Sequence, residues 1–166
     1  MVAIINYDRS HQQDFKRLNK EWLDKYDLME THDMEILDDP DGTVIAGGGS
    51  IFLATDKGKV VGTAGLWKEN EAEYELIKMA VDPSYQGQGI SRILLDQCLA
   101  EARKRKAKKV FLYSNSQLTT ALSLYEKYGF QYVPATNSPF VTADVKMELD
   151  LTPSRVQLSG TPNPSP

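Results

Sequence analysis

A glycine-containing stretch near the middle of the chain has the residue types that bind phosphate. It runs Gln86-Gly87-Gln88-Gly89-Ile90-Ser91 and joins an apolar segment to an amphipathic one. Glycine permits tight or positive-φ geometry and lets a ligand approach the main chain closely. The first N–H groups of a helix have no partner within the helix, and the helix dipole adds partial positive charge there. The stretch therefore predicts a pyrophosphate-binding loop, with a glycine turn that only reverses the chain as the alternative.

Rival phosphate-binding and catalytic motifs fit this chain less well. The G-x-x-x-x-G-K-[ST] motif and the G-x-S-x-G elbow are absent, and Arg92 stands where G-x-G-x-x-G needs its final glycine. Cys98 lies in an apolar helical stripe, which favours a core role over that of a nucleophile. His11 and His32 lack metal-ligand spacing, so no metal is predicted. The basic run at 103–109 is interpreted as a solvated helix end, with docking of a phosphate or an acidic partner as the alternative.

The loop must be positioned by the strands and helices around it. Apolar patterns and turn residues predict strands at 2–6, 51–54, 60–67, 74–81, 109–113, 130–133 and 144–151. Helical spacing predicts helices from residue 10 to 26, over 29–37, from 90 onward and around 118–125. A meander comes first and helical crossovers come later, which indicates an α/β fold around one mixed sheet.

Length and composition limit the class of protein. The chain has 166 residues, 41% apolar and 25% charged, which predicts one globular domain over 1–151. The net charge of −4 excludes a broad polyanion-binding surface, so no nucleic acid is expected. No run reaches transmembrane length, and the single cysteine suggests a reducing compartment, so we expect a cytoplasmic protein with no membrane partner. Residues 152–166 are rich in Pro, Ser and Gly and predict a disordered tail.

Three motifs, in order, resemble the GNAT superfamily of acyl-CoA-dependent N-acetyltransferases. The family signature is Arg or Gln, two residues, Gly, one residue, then Gly or Ala, and residues 86–91 match it with Ser91 at the last position. Residues 75–81 resemble the fourth strand of the family, and Asn115, Ala121 and 124–130 resemble its second cofactor motif. The likeness extends from about 50 to 151. It implies the GNAT fold, an α/β (α+β) architecture in which about four helices flank a mixed, mostly antiparallel twisted sheet of about seven strands.

The resemblance assigns residues to acetyl-CoA. The backbone amides from Gly87 to Arg92 would bind the pyrophosphate, and the strand at 79–81 would pair with the pantetheine arm. This pairing requires the fourth and fifth strands to separate. Asn115 would hydrogen-bond the pantetheine, although a turn-forming asparagine explains it nearly as well. The cofactor-binding residues expected in this way are Met79, Ala80, Val81, Gln86, Gly87, Gln88, Gly89, Ile90, Ser91, Arg92, Asn115 and Tyr125.

Two residues are assigned to proton transfer. Strand alternation places Glu75 on one face with Ile77, Met79 and Val81, and apolar surroundings raise the pKa of a carboxylate and make it a better base. Glu75, directly or through water, would take the proton of the amine. Tyr125 would donate a proton to the thiolate, because a phenol of pKa about 10 has a similar basicity. The alternatives are an exposed strand-end charge for Glu75 and a core tyrosine for Tyr125.

The expected function is transfer of an acetyl group from acetyl-CoA to a primary amine of a small molecule or peptide, by direct attack. The alternative is a non-catalytic acyl-CoA-binding sensor or regulatory module, which needs neither Glu75 nor Tyr125. In this superfamily the acceptor is shaped by the first two helices and by the loop before the last strand, here 10–37 and 134–142. A homodimer is one expectation. The residues that could line the acceptor pocket, with acidic members suited to a cationic amine, are Trp22, Tyr26, Glu30, His32 and Asp33.

Overall fold

The computed structural model describes residues 1–152, so the predicted tail lies outside the described residues from position 153 onward. Within them, seven strands and four α-helices follow one another in the predicted order. The strands are β1 (Val2–Asn6), β2 (Ser50–Asp56), β3 (Lys59–Lys68), β4 (Glu73–Val81), β5 (Lys109–Ser114), β6 (Gln131–Val133) and β7 (Val145–Asp150). The helices are α1 (Gln12–Lys25), α2 (Thr31–Asp38), α3 (Ile90–Lys104) and α4 (Thr119–Lys127).

The strands form one sheet in the order β1-β2-β3-β4-β5-β7-β6. The β4–β5 pair is parallel, and the other five pairs are antiparallel. The prediction of a mixed, mostly antiparallel sheet flanked by four helices is thereby confirmed for the described residues. None of the helices in this part of the chain combines the length and the apolar character needed to cross a bilayer.

Each face of the sheet has its own apolar core. On one face, α3 and α4 cover the sheet, and fully buried Leu94 and Leu95 of α3 lie at the centre of that core. On the other face, α1 and α2 pack through Phe15, Leu18 and Leu37. Apolar residues at helical spacing produce both layers, because each helix buries only the stripe that faces the sheet.

Strands β4 and β5 separate soon after they meet. They pair at three positions, of which Glu75 opposite Phe111 is the last. Beyond that point β4 continues to Val81 and β5 to Ser114 without further pairing between them. The separation that the resemblance required, and that sequence alone could not show, is therefore present. It leaves the β5-facing main-chain edge of β4 open over 76–81, within the described residues.

A β-bulge in β4 overturns the predicted face of Met79 and Val81. Lys78 has a φ of +53°, and one residue of β3, Ala64, spans two of β4 between the Gly65–Ile77 and Thr63–Ala80 pairs. An extra residue reverses the alternation of every side chain that follows it. Glu75 and Ile77 thus face α1 and α2, whereas Met79 and Val81 pack with the α3 core.

Candidate active site

The predicted phosphate loop joins β4 to α3 through a short 3-10 turn at Pro83–Tyr85. The Asp82 side chain caps that turn by accepting from the Ser84 N–H at 2.9 Å. Gly87 and Gly89 follow with φ values of +81° and +78°, and Gly89 is the N-cap of α3. A Cβ placed on either glycine would meet no atom within 4 Å. The glycines are therefore needed for their left-handed backbone, and open space lies above them.

The N–H groups of this loop are free to bind an anion. Ile93 is the first residue of α3 whose N–H finds a main-chain acceptor, the Gly89 carbonyl at 3.2 Å. The N–H groups of 87–92 have no acceptor anywhere in residues 1–152. Unpaired donors at the positive end of a 15-residue helix suit an anion such as a diphosphate. This geometry agrees with the prediction and disfavours a turn that only reverses the chain.

A cleft of about 610 Å³ begins at the loop and follows the gap between β4 and β5. Its walls contain both proposed proton-transfer residues and nearly all of the expected cofactor residues. Gln88 is the exception: it is exposed and forms no part of the cleft wall. The predicted residues in the wall are Glu75, Met79, Ala80, Val81, Gln86, Gly87, Gly89, Ile90, Ser91, Arg92, Asn115 and Tyr125.

Glu75 lies where the two strands separate, and it lines the cleft. Burial raises the pKa of its carboxyl to about 7, and the nearby positive charge of Lys78 only partly opposes this shift. A base with a pKa near the working pH is both deprotonated often enough and basic enough to take a proton. Glu73, the carboxylate two residues earlier in β4, is not part of the wall.

Tyr125 is buried, with 7% of its surface exposed, and its ring packs against Phe130 with the centroids 5.8 Å apart. Its hydroxyl has no hydrogen-bond partner in the described part of the chain. Burial raises the pKa of the phenol to about 12. The pKa of the Tyr125 phenol therefore matches that of a thiol less well than the sequence predicted. Donation of a hydrogen bond to developing negative charge becomes the more favourable role for Tyr125. The neighbouring Tyr128 lies outside the wall of the cleft, and its hydroxyl donates to Asp96 at 2.6 Å.

Asn115 makes the turn contact that its alternative interpretation, a turn-forming asparagine, predicts. Its Oδ1 accepts from the Gln117 N–H at 3.0 Å, which is a turn contact, and its Nδ2 donates to the Thr142 carbonyl at 2.7 Å. The side chain thus ties the end of β5 to the loop before β7. One amide hydrogen is left over, so a pantetheine contact through Asn115 stays a prediction.

Only some of the residues that were expected to form the acceptor pocket line the cleft. Trp22 and Tyr26 line the cleft, and their ring centroids are 5.0 Å apart. Glu30 instead holds the loop before β7, since its carboxylate accepts from the N–H groups of Val141 at 2.9 Å and Thr142 at 2.8 Å. The His32 ring packs against Phe140, with 5.2 Å between the centroids. Neither Glu30 nor His32 belongs to the wall of the cleft.

Asp33 lines the cleft but has a partner of its own. Its Oδ1 accepts from Lys78 Nζ at 2.5 Å, and the two side chains are only 4% and 6% exposed. Its Oδ2 also accepts from the Glu30 N–H at 3.0 Å, at the start of α2. The two acidic residues that were expected to suit a cationic amine therefore already have partners. Glu30 holds the loop before β7, and Asp33 neutralises Lys78.

Replacing Asp33 with Asn is expected to lower the free energy of unfolding by about 3–5 kcal/mol, because it leaves the Lys78 ammonium buried without a counter-ion. Urea denaturation would measure the change. The matched double variant, Asp33→Asn with Lys78→Met, removes both charges and should recover most of the loss. A single variant as stable as the wild type would contradict the pairing.

The basic run at the end of α3 is less solvated than predicted. The Arg105 guanidinium donates to the Gly48 carbonyl, to Ser50 Oγ at 2.5 Å and to Glu101 at 2.7 Å, which ties α3 to the start of β2. The run lies at the opposite end of α3 from the glycine loop, about 22 Å away at 1.5 Å per residue. It is therefore a helix end with one structural arginine, and nothing in its position favours phosphate docking near the loop.

A sequence model described as the Acetyltransferase (GNAT) family matches residues 10–130. With more than half of its length matched, the chain belongs to the GNAT acetyltransferase family. The solved structure of a GNAT-family acetyltransferase from Staphylococcus aureus superposes with a TM-score of 0.81 at 22% identity, covering 92% of this chain and 100% of the other. The predicted resemblance and fold are thereby confirmed.

Two further similarities are to a curated relative and to a structure solved with a ligand. The ribosomal protein bS18-alanine N-acetyltransferase of Escherichia coli K12 is 32% identical over 93 residues, which are 56% of this chain and 62% of that protein. The chain thus spans about three fifths of the length of this curated relative and less than a third of the length of others that it matches. A PaiA N-acetyltransferase from Thermoplasma acidophilum, solved with coenzyme A, superposes with a TM-score of 0.71 at 16% identity, over 90% of this chain and 99% of that one.

Proposed function

We propose that this protein transfers an acetyl group from acetyl-CoA to a primary amine. One observation supports this most strongly: a single cleft joins unpaired N–H groups at the start of α3, an open main-chain edge on β4, and a carboxyl with a pKa of about 7. A diphosphate, an amide-containing arm and a protonated amine are the three groups that these features suit. The alternative, a sensor that binds acyl-CoA without turnover, has no need of the third feature.

The residues present fit acetyl-CoA. The amides of 87–92 would hold its pyrophosphate, and Arg92 in the same wall would add a positive charge. The open edge of β4 at Met79–Val81 would pair with the pantetheine amides, as a strand pairs with its neighbour. Acetyl-CoA supplies an activated acetyl group as a thioester.

Glu75 would take the proton that the amine must lose. A free amine has a pKa near roughly 10 and arrives protonated, whereas the Glu75 carboxylate near neutral pH can accept a proton directly or through one water. The amine nitrogen then attacks the thioester carbonyl, the N–C bond forms and the C–S bond breaks. Tyr125 would donate a hydrogen bond to the departing sulfur, and the second proton, which the nitrogen loses as the amide forms, would balance the proton that turns the thiolate into the thiol.

Tyr125→Phe is expected to lower kcat about 10- to 100-fold and to change both KM values little, because one hydrogen bond to developing charge is lost. The substitution keeps the ring packing against Phe130, so the melting temperature should change little. Stopped thiol-release assays at saturating substrates would measure kcat. An unchanged kcat would assign Tyr125 to the core alone.

The acceptor is proposed to be the primary amine of a small molecule or a peptide. A curated relative is named for acetylating an alanine of ribosomal protein bS18, which supports a peptide amine. The apolar and aromatic residues of the wall, among them Trp22, Tyr26 and Phe140, lie on the side formed by α1 and the loop before β7. The homodimer and the cytoplasmic location expected from the sequence stay predictions.

The experiment that tests the proposal measures two quantities. Calorimetry would report coenzyme A binding, and thiol release from acetyl-CoA would be followed with a panel of amines and N-terminal peptides. Binding together with amine-dependent release supports the transferase. Binding without release from any amine favours the sensor, and the absence of binding rejects both.

A further inference from the structure

Asn19 is a polar residue of α1 that is 1% exposed and still forms part of the cleft wall. Its Nδ2 donates to the Phe15 carbonyl at 2.9 Å and to Thr63 Oγ1 at 3.0 Å. The Phe15 carbonyl can only accept, so the nitrogen of the amide must face it. Both amide hydrogens are therefore used inside the protein, and the orientation of the amide is determined.

The other end of this amide has no partner. Within residues 1–152, no donor reaches Asn19 Oδ1, although an amide oxygen can accept two hydrogen bonds. Buried acceptors in folded proteins nearly always have a donor, because an unpaired buried acceptor loses its hydrogen bonds to water and forms none in their place. Since Asn19 lies in the wall of the cleft, a molecule bound in the cleft is placed to supply that donor.

A chain of buried hydrogen bonds links Asn19 to the bulge of β4. Thr63, fully buried, donates through Oγ1 to the Lys78 carbonyl at 2.7 Å. Lys78 is the residue with positive φ at the bulge, and its side chain is held by Asp33. The Asn19 amide is therefore linked to the bulge of β4 by two consecutive hydrogen bonds.

We propose that Asn19 Oδ1 accepts a hydrogen bond from an N–H group of a substrate bound in the cleft. The inference rests on the proposed function, which provides two molecules with such a group. One is the pantetheine arm of acetyl-CoA, which has amide N–H groups, and the other is the acceptor amine. Both sources present the same chemistry to the oxygen, and the kinetics of a variant separate them.

Asn19→Leu, nearly equal in size, removes the oxygen. We expect it to raise the KM of one substrate about tenfold, which is the factor that one hydrogen bond to a buried partner is worth, and to leave the other KM nearly unchanged. A selective rise in the KM of acetyl-CoA, with weaker coenzyme A binding by calorimetry, identifies the pantetheine arm. A selective rise in the KM of the amine, with unchanged coenzyme A binding, identifies the acceptor.

Thr63→Val is the matched control, because it breaks the link to the bulge and leaves Asn19 Oδ1 in place. We expect this variant to lose stability and not to reproduce the selective KM effect. Equal KM changes in the two variants would mean that only the shape of the bulge matters, and would overturn the inference. Two unchanged KM values in a folded Asn19→Leu protein would also overturn it. If Asn19→Leu does not fold, Asn19→Ala is judged by the same criteria. A wild type that neither binds coenzyme A nor releases thiol would instead refute the proposed function.

Discussion

Gly89→Asp is expected to weaken coenzyme A binding about 100-fold, whereas Gly89→Asn should weaken it less than about tenfold. Two like charges roughly 6 Å apart at an effective dielectric constant of 20 repel by about 3 kcal/mol, which is a factor of about 100 in affinity. Asp and Asn are nearly equal in size, and both tolerate the left-handed backbone that Gly89 adopts at φ +78°. The pair therefore isolates charge from shape.

Isothermal titration calorimetry at constant salt would measure both dissociation constants. The melting temperatures of the two variants should agree, because the loop above Gly89 is open and a Cβ meets nothing within 4 Å. High salt should narrow the difference between the variants, since screening reduces repulsion between exposed charges. Equal affinities for Asp and Asn at low salt would show that the loop does not hold an anion.

Glu75→Gln should lower kcat/KM at least about 100-fold at pH 8, which is the lower end of what a general base contributes. In the wild type, kcat/KM should rise about tenfold per pH unit below pH 7 and level off above it, since the pKa of Glu75 is about 7 and its carboxylate is the active form. The variant should lose this rise. Initial rates from pH 5.5 to 8.5 with one amine would show both effects.

The stability of Glu75→Gln supplies the control. The pKa of Glu75 is raised from 4.5 to about 7 in the folded protein, so folding favours the protonated form. The wild type therefore loses stability as pH rises from about 4.5 through 7, and the full penalty is present above pH 7. Without that charge, Glu75→Gln should be more stable than the wild type at pH 8 by roughly 1–3 kcal/mol. An active variant, or an inactive one that is unfolded at pH 8, would contradict the role of Glu75 as a desolvated base.

The loop at 86–91 and the helix after it could be predicted because their conformations are local. Glycine permits positive φ wherever it stands, and an apolar stripe beginning at Ile90 makes a helix whose first N–H groups have no partner within the helix. The positions of the strands along the chain followed from apolar alternation and turn residues in the same way. Family resemblance then added roles for Glu75 and Tyr125 that their positions in the cleft are consistent with.

The bulge at Lys78 could not be predicted, since no glycine or proline marks it and Lys78 fits an ordinary strand pattern. It is held by Thr63 and Asp33, which are 15 and 45 residues away in the chain. Its consequence, the reversed faces of Met79 and Val81, was therefore predicted wrongly. The same reason explains why Asn19 was missed: an asparagine in a helix has no distinguishing signal until its neighbours across the fold are known.

The amino-acid sequence by itself determined which segments form the sheet and its helices. It also determined that the N–H groups at the start of α3 would be left without partners in the helix. Those properties depend on residues adjacent in the chain. Only the tertiary structure decided that β4 leaves β5 after Glu75, that Asp33 is neutralised by Lys78, and that the pKa of Glu75 lies near 7. Burial and charge pairing depend on groups distant in sequence, and these meet only when the chain has folded.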